Sequence, residues 1–265
     1  MPLTCFSCFP IKNESRSSVA KIDDGTSPCS TRAPIVLEEE FSDAVSEETG
    51  PSYESRLAYF RQLCSDPSFL LESAASNSPD GIEISYKPRK NDPLIARGRM
   101  HAPGWFPHNL AQISDLILDT SKRHLWDSDL YEIEMLERKS ISDSETLLRV
   151  WASFKGRFGF PGRDFFWDIY ILVSEDEIVH VTMPGEDDGV NRHNGRFVRG
   201  QTLLGGLRIV RTPEGVDMTL INQTDAGGRR LVPDWVIDSV MKKSPQKLGA
   251  IKKFILENTS LYTSI

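Results

Sequence analysis

An α+β architecture is the fold class this sequence predicts. Helical apolar spacing occurs near residue 53, again near residue 110, and over the last thirty or so residues. About eight strand-like runs fall between those helices, two before the internal one and six after it. Strands segregated from helices in this order build an antiparallel sheet, not a doubly wound parallel one.

The elements follow in chain order. Residues 1–50 are rich in Ser, Thr, Pro, Asp and Glu and lack apolar periodicity, so the sequence predicts a disordered acidic tail. Order is expected over 53–260. Leu57, Phe60 and Cys64 recur at helical spacing before Pro67. Ile82, Ile84 and Tyr86 alternate with polar residues as in a half-buried strand, and 94–101 reads as its hairpin partner. Leu110, Ile113 and Ile117 mark an amphipathic helix. Tyr131, Ile133 and Met135 alternate with glutamates, and 145–154, 165–173 and 177–183 are rich in β-branched and aromatic side chains. Runs at 196–210 and 216–224 complete the strands. A last helix is expected from about 232 to 257, with Pro233 at its start and Pro245 kinking or breaking it.

Composition narrows the function. The 265 residues carry a net charge of −7, which disfavours nucleic acid as a partner. No apolar run is long enough to span a membrane, and no secretory signal is evident. Four cysteines do not make a disulfide framework, so a reducing, cytoplasmic compartment is expected. No nucleophile elbow, metal-spaced histidine cluster or phosphate loop is present, so neither enzyme activity nor a cofactor or metal is expected. Cys5 and Cys8 form C-x-x-C beside Phe6 and Phe9. Either the tail is unmodified or both cysteines are S-acylated, and two acyl chains would anchor the protein stably.

Five motifs then stand in order: R-H-L-W-D (Arg123 to Asp127), G-R-D-F-F (Gly162 to Phe166), V-R-G (Val198 to Gly200), D-A-G-G (Asp225 to Gly228) and P-D-W (Pro233 to Trp235). Together they resemble the StAR-related lipid-transfer (START) domain over roughly 80–257. The resemblance implies a helix-grip fold, in which a curved antiparallel sheet and a long C-terminal helix enclose one lipid. It also implies that this helix and a facing loop act as the gate.

Sterol-carrying relatives place a buried acid–arginine pair on two central strands. The corresponding positions here are about Val150 and Ile169, both apolar, which favours a phospholipid over a sterol. Val150, Ala152, Trp167, Ile169, Ile171, Met183, Met218, Leu220, Val236 and Val240 are the candidate cavity wall. A filled core, or a one-residue slip that exchanges the strand faces, are the alternatives. Arg199, Asn222 and His180 are candidates for the polar end. The gate is expected in 184–195, with Gly185 and Gly189, and at Trp235 beside the final helix. Lys242, Lys243, Lys247, Lys252 and Lys253 suit that helix to an anionic membrane surface or to plain solvent. The expected function is transfer of one lipid between membranes by a monomer, associated with the membrane transiently or through acyl chains. A tethered lipid sensor is the second reading, and an enzyme on the same fold is the third.

Overall fold

The computed structural model describes residues 52–90, 92–157, 159–190, 192, 194–227 and 233–259, without the side chains of Asp234 and Trp235. The tail expected over 1–50, with Cys5 and Cys8, lies outside the described residues, as do His193 and Gly228.

The ordered chain opens with α1 (Tyr53–Ser65), whose first turn Ser52 caps by accepting from the Ser55 amide at 3.3 Å. Three strands follow: β1 (Leu70–Ser73), β2 (Ile82–Lys87) and β3 (Ile95–Pro103). Next comes α2 (Leu110–Leu118), capped by the Asn109 side chain, then a 3-10 turn at Arg123–Leu125. Seven strands come after it: β4 (Leu130–Ser140), β5 (Glu145–Phe154), β6 (Arg163–Val173), β7 (Glu177–Pro184), β8 (Val198–Arg199), β9 (Gln201–Thr212) and β10 (Gly215–Asp225). Two C-terminal helices close the chain, α3 (Asp234–Lys243) and α4 (Lys247–Thr259).

The strands form one ten-stranded open sheet in the order β1-β2-β3-β10-β9-β7-β6-β5-β4, antiparallel throughout that path. β8 is a two-residue parallel addition to β6. β3 meets β10 across a crossover, so the first hairpin is stitched to the last and the sheet becomes one continuous wall.

Period-2 alternation gives this wall two faces. α1 covers the outer face, burying Phe60, Leu63 and Cys64 against Tyr170, Val181 and Ile221. The other helices cover the inner face. Leu110, Ile113 and Ile117 of α2 and Leu248, Ile251 and Ile255 of α4 pack with Ile82, Ile178, Ile209 and Met218. A second inner cluster joins Leu148, Val150 and Ala152 of β5 to Phe165, Trp167 and Ile169 of β6.

Pro245 breaks the last helix, as the sequence predicts. α3 stops at Lys243, a 3-10 turn occupies Ser244–Gln246, and α4 begins at Lys247. The break lies directly on β3. A Cβ at Gly98 would sit 2.7 Å from the Pro245 Cβ, so only glycine allows this approach.

Candidate functional site

Between the inner face and the C-terminal helices lies a cavity of about 570 Å³. This is within the ~300–1,000 Å³ typical of small-molecule sites. Trp167 and Ile169 on β6, Leu220 on β10, and Val236 and Val240 on α3 contribute to its wall, with Ile117 of α2 and Ile251 of α4. These five sequence-predicted residues are brought together.

The other wall candidates and Arg199 are placed elsewhere, for reasons that follow from register. Val150 pairs with Trp167 and Ala152 with Phe165, so both face inward, but they lie one strand further toward the sheet edge and pack as core. Ile171 pairs with His180 and joins the same cluster. Met218 pairs with Ile209, two residues along β10 from Leu220, a step of ~7 Å into filled core. Met183 pairs with Asp168, which puts it on the outer face with Tyr170 and Val181. Arg199 is outward as well. It pairs with Asp164 across β8–β6, donates to both Asp164 oxygens at 3.1 and 2.9 Å, and stacks over Phe166 at 4.5 Å.

The described residues of the 184–195 loop also lie away from this cavity. Asp187, Gly189, Val190, Arg192 and Gly195 line a separate pocket of about 260 Å³ with Arg199. Gly185 continues the β6–β7 ladder by donating to the Phe166 carbonyl at 3.0 Å. Arg192 clamps the loop, bonding Asp188 at 2.9 and 2.7 Å and Glu134 at 2.8 Å. The Trp235 side chain is outside the described residues. The turn that does line the cavity with α3 is the β5–β6 connection, through Lys155, Arg157, Phe160 and Pro161.

Several polar groups line the cavity, and two sets of them stand out. The first is a chain of hydrogen bonds along the wall. Trp167 Nε1 donates to Thr202 Oγ1 at 3.0 Å, and Thr202 meets Thr224 at 3.3 Å. Thr224 donates to Asn222 Oδ1 at 2.7 Å, and Asn222 Nδ2 donates to Ser244 Oγ at 3.1 Å. Every member is satisfied, so this chain needs no ligand.

The second set is different. Arg123 lines the cavity from the 3-10 turn, stacked 4.5 Å over Trp126 and 5.6 Å over Trp167. Its Nε is buried without a hydrogen-bond partner, and its ion pair to Asp127 is long, at 3.8 Å. Asp127, 1 % exposed, is engaged instead by Lys247 of α4 at 2.5 Å. Burial pulls the Arg123 pKa below its ordinary value, the direction expected of an undercompensated cation.

His180, buried on β7, also lines the cavity and bonds Ser114 of α2 at 2.8 Å through Nε2. Burial, reinforced by the Arg123 charge, drives its pKa down to about 3, so the imidazole is neutral at physiological pH.

Sequence reasoning placed His180 and Asn222 in the site and missed Arg123. The R-H-L-W-D motif was the available signal, but it marks the fold without showing where the guanidinium points. Leu125 of that motif is 59 % exposed, while Trp126 is buried.

No family model matches the sequence, and no curated protein matches it either. Solved structures do resemble it. Human STARD10 is 17 % identical with a TM-score of 0.63, over 81 % of this chain and 83 % of that one. Human StAR-related lipid transfer protein 5 is 20 % identical, also at 0.63, over 77 % and 94 %. The lipid transfer and protein localization domain of human StarD13 (DLC2) is 14 % identical at 0.54, over 78 % and 98 %. The chain has the START-domain fold. Its START-like sheet and C-terminal helices enclose the cavity just described, with Arg123 set in the wall.

Proposed function

We propose that this chain binds one phospholipid in the START-like cavity and carries it between membranes without chemical change. The observation that carries this reading is Arg123, a buried guanidinium with an open donor in an otherwise largely apolar enclosure. An apolar wall contributes about 0.8 kcal/mol per buried CH₂, and a phosphate oxygen is the natural acceptor for a guanidinium. A sterol has no group that would satisfy it as well.

Two of the similar structures carry lipid transfer in their names, which supports transfer as the use of the site. Among the described residues no helix is long and apolar enough to cross a membrane. The gate we infer is α3 against the 155–162 turn. Val240 suits that role, because it lines the cavity yet is 41 % exposed. Ser114 and His180 do not suggest hydrolysis, since an imidazole with a pKa of about 3 is a poor general base.

Native mass spectrometry of the full chain after incubation with mixed vesicles tests this. A single retained phospholipid per chain, lost in Arg123→Met, is expected. Retention of a sterol in preference to phospholipid, or of no lipid, overturns the reading.

A further inference from the structure

Arg123 is one end of a connected charge network that runs toward the β5–β6 turn. Arg123 reaches Asp127 at 3.8 Å, and Asp127 is held by Lys247 at 2.5 Å. Lys247 also reaches Asp129 at 3.8 Å, and Asp129 is paired with Arg157. Lys155 joins by donating to the Ser128 carbonyl at 2.8 Å. The network thus holds four cations around two carboxylates. Those two are the only carboxylates lining the cavity among the described residues.

The surplus has a chemical meaning. A zwitterionic head group brings no net charge and would leave the buried Arg123 guanidinium and the cations beside it without a net counter-charge. Its ammonium would also need a carboxylate, and both are already engaged by lysine or arginine. Three of the nearby aromatic rings already carry a cation: Lys247 sits 5.4 Å over Phe154, and Arg123 lies over Trp126 and Trp167. A phosphate monoester of charge near −2 matches this surplus in sign, and Arg163 and Lys243 add to the positive lining.

Resting on the phospholipid reading above, we propose that the cavity selects a net-anionic head group, a phosphomonoester lipid without an amine, seated against Arg123, Lys155 and Lys247.

The test incubates the full chain with vesicles of equimolar phosphatidylcholine and phosphatidic acid with matched acyl chains, then identifies the retained lipid by native mass spectrometry. Both lipids share one surface, so membrane attraction favours neither. At least tenfold preference for phosphatidic acid is expected. Lys155→Gln should reduce that preference by about fivefold, in line with one charge at the mouth. Lys252→Gln, outside the network, should leave it unchanged. Equal retention, or preference for phosphatidylcholine, overturns this inference while the phospholipid reading stands. Failure to retain either lipid removes that reading as well. A parallel incubation with inorganic phosphate alone separates lipid from free anion. A stable phosphate adduct that excludes phosphatidic acid would show a free-anion site and overturn the proposal.

Discussion

Arg97 and Arg123 are both enclosed cations, one on each side of the same sheet. Arg97, 4 % exposed under α1, donates to Ser85 Oγ at 3.2 Å and to the Leu63 and Asp66 carbonyls at 3.1 and 2.7 Å. It stacks 4.0 Å over Phe69. Arg123 has ring partners too, but an open Nε and a long ion pair. The well-bonded cation closes a core by tying the end of α1 to the outer face. The unsaturated one borders empty volume. Burial alone therefore does not mark a binding residue; the unmatched donor does.

The adjacent glycines Gly205 and Gly206 offer the sharpest test of the two faces, with the largest expected effect. A Cβ on Gly206 points outward, 2.1 Å from the His180 carbonyl and 2.8 Å from the Phe60 ring, at a φ of +154°. Gly206→Ala should cost about 3 kcal/mol or more in urea unfolding. At Gly205 the Cβ points toward the cavity and meets nothing closer than Thr202 at 3.3 Å. Gly205→Val should fold with a stability within about 1 kcal/mol of the parent and lose most of its bound lipid. Equal destabilisation by the two variants would mean that the inner face is packed solid.

The arginines come next. Arg97→Met strands two carbonyls without donors, for an expected loss of about 3 kcal/mol. Arg123→Met should change stability little, because removing an underpaired buried cation is often neutral or favourable, while Asp127 keeps Lys247. The comparison fails if Arg123→Met unfolds the protein as readily as Arg97→Met.

His180 gives a smaller, pH-dependent effect. Its pKa is about 3 in the folded chain, against an ordinary value of 6.5. Between those values the unfolded chain binds the extra proton, so stability falls as pH falls. The contribution is fully present above about pH 6.5 and declines by about 1.4 kcal/mol per unit below it. Urea midpoints at pH 7, 6 and 5.5 should therefore drop more steeply in the parent than in His180→Asn. Parallel slopes would show that His180 protonates freely in the folded state.

What could be read from sequence divides along similar physical lines. Alternation along one strand is local, so the inward direction of Trp167 and Ile169 was legible. Parity between strands is not. Met183 fell outward because β7 pairs Asp168 with it, leaving Thr182 and His180 to face in. Arg199 followed Asp164 outward through a two-residue parallel contact that no periodicity announces. β1 escaped notice because Leu70 and Leu71 are 50 and 61 % exposed on an edge strand, without alternation. Composition alone does not tell which loop borders the cavity. Residues 155–162 and 184–195 are both glycine-rich, and what separates them is long-range geometry. Arg192 fastens the second loop to Glu134, while the first faces α3 across the cavity.

The smallest expected effect concerns the joint between α3 and α4. The wall's hydrogen bonds have one consistent direction, from the Trp167 indole, which only donates, to the Met241 carbonyl, which only accepts. Ser244 is the last hydroxyl in that series, receiving from Asn222 at 3.1 Å and donating to Met241 O at 3.0 Å. It links the sheet to the helices, beside a longer contact from Asn222 Nδ2 to the Met241 sulfur at 3.9 Å. Ser244→Ala removes that link, leaves Pro245 on Gly98, and should cost about 1 kcal/mol. If this bond restrains the helix when lipid enters and leaves, transfer of a fluorescent phospholipid between vesicles should quicken by about fivefold. Thr202→Val, which cuts the series inside the wall, should leave the Asn222–Ser244 bond in place and change the rate far less. Equal rates in both variants would place the restraint elsewhere, in the packing of Pro245 against β3.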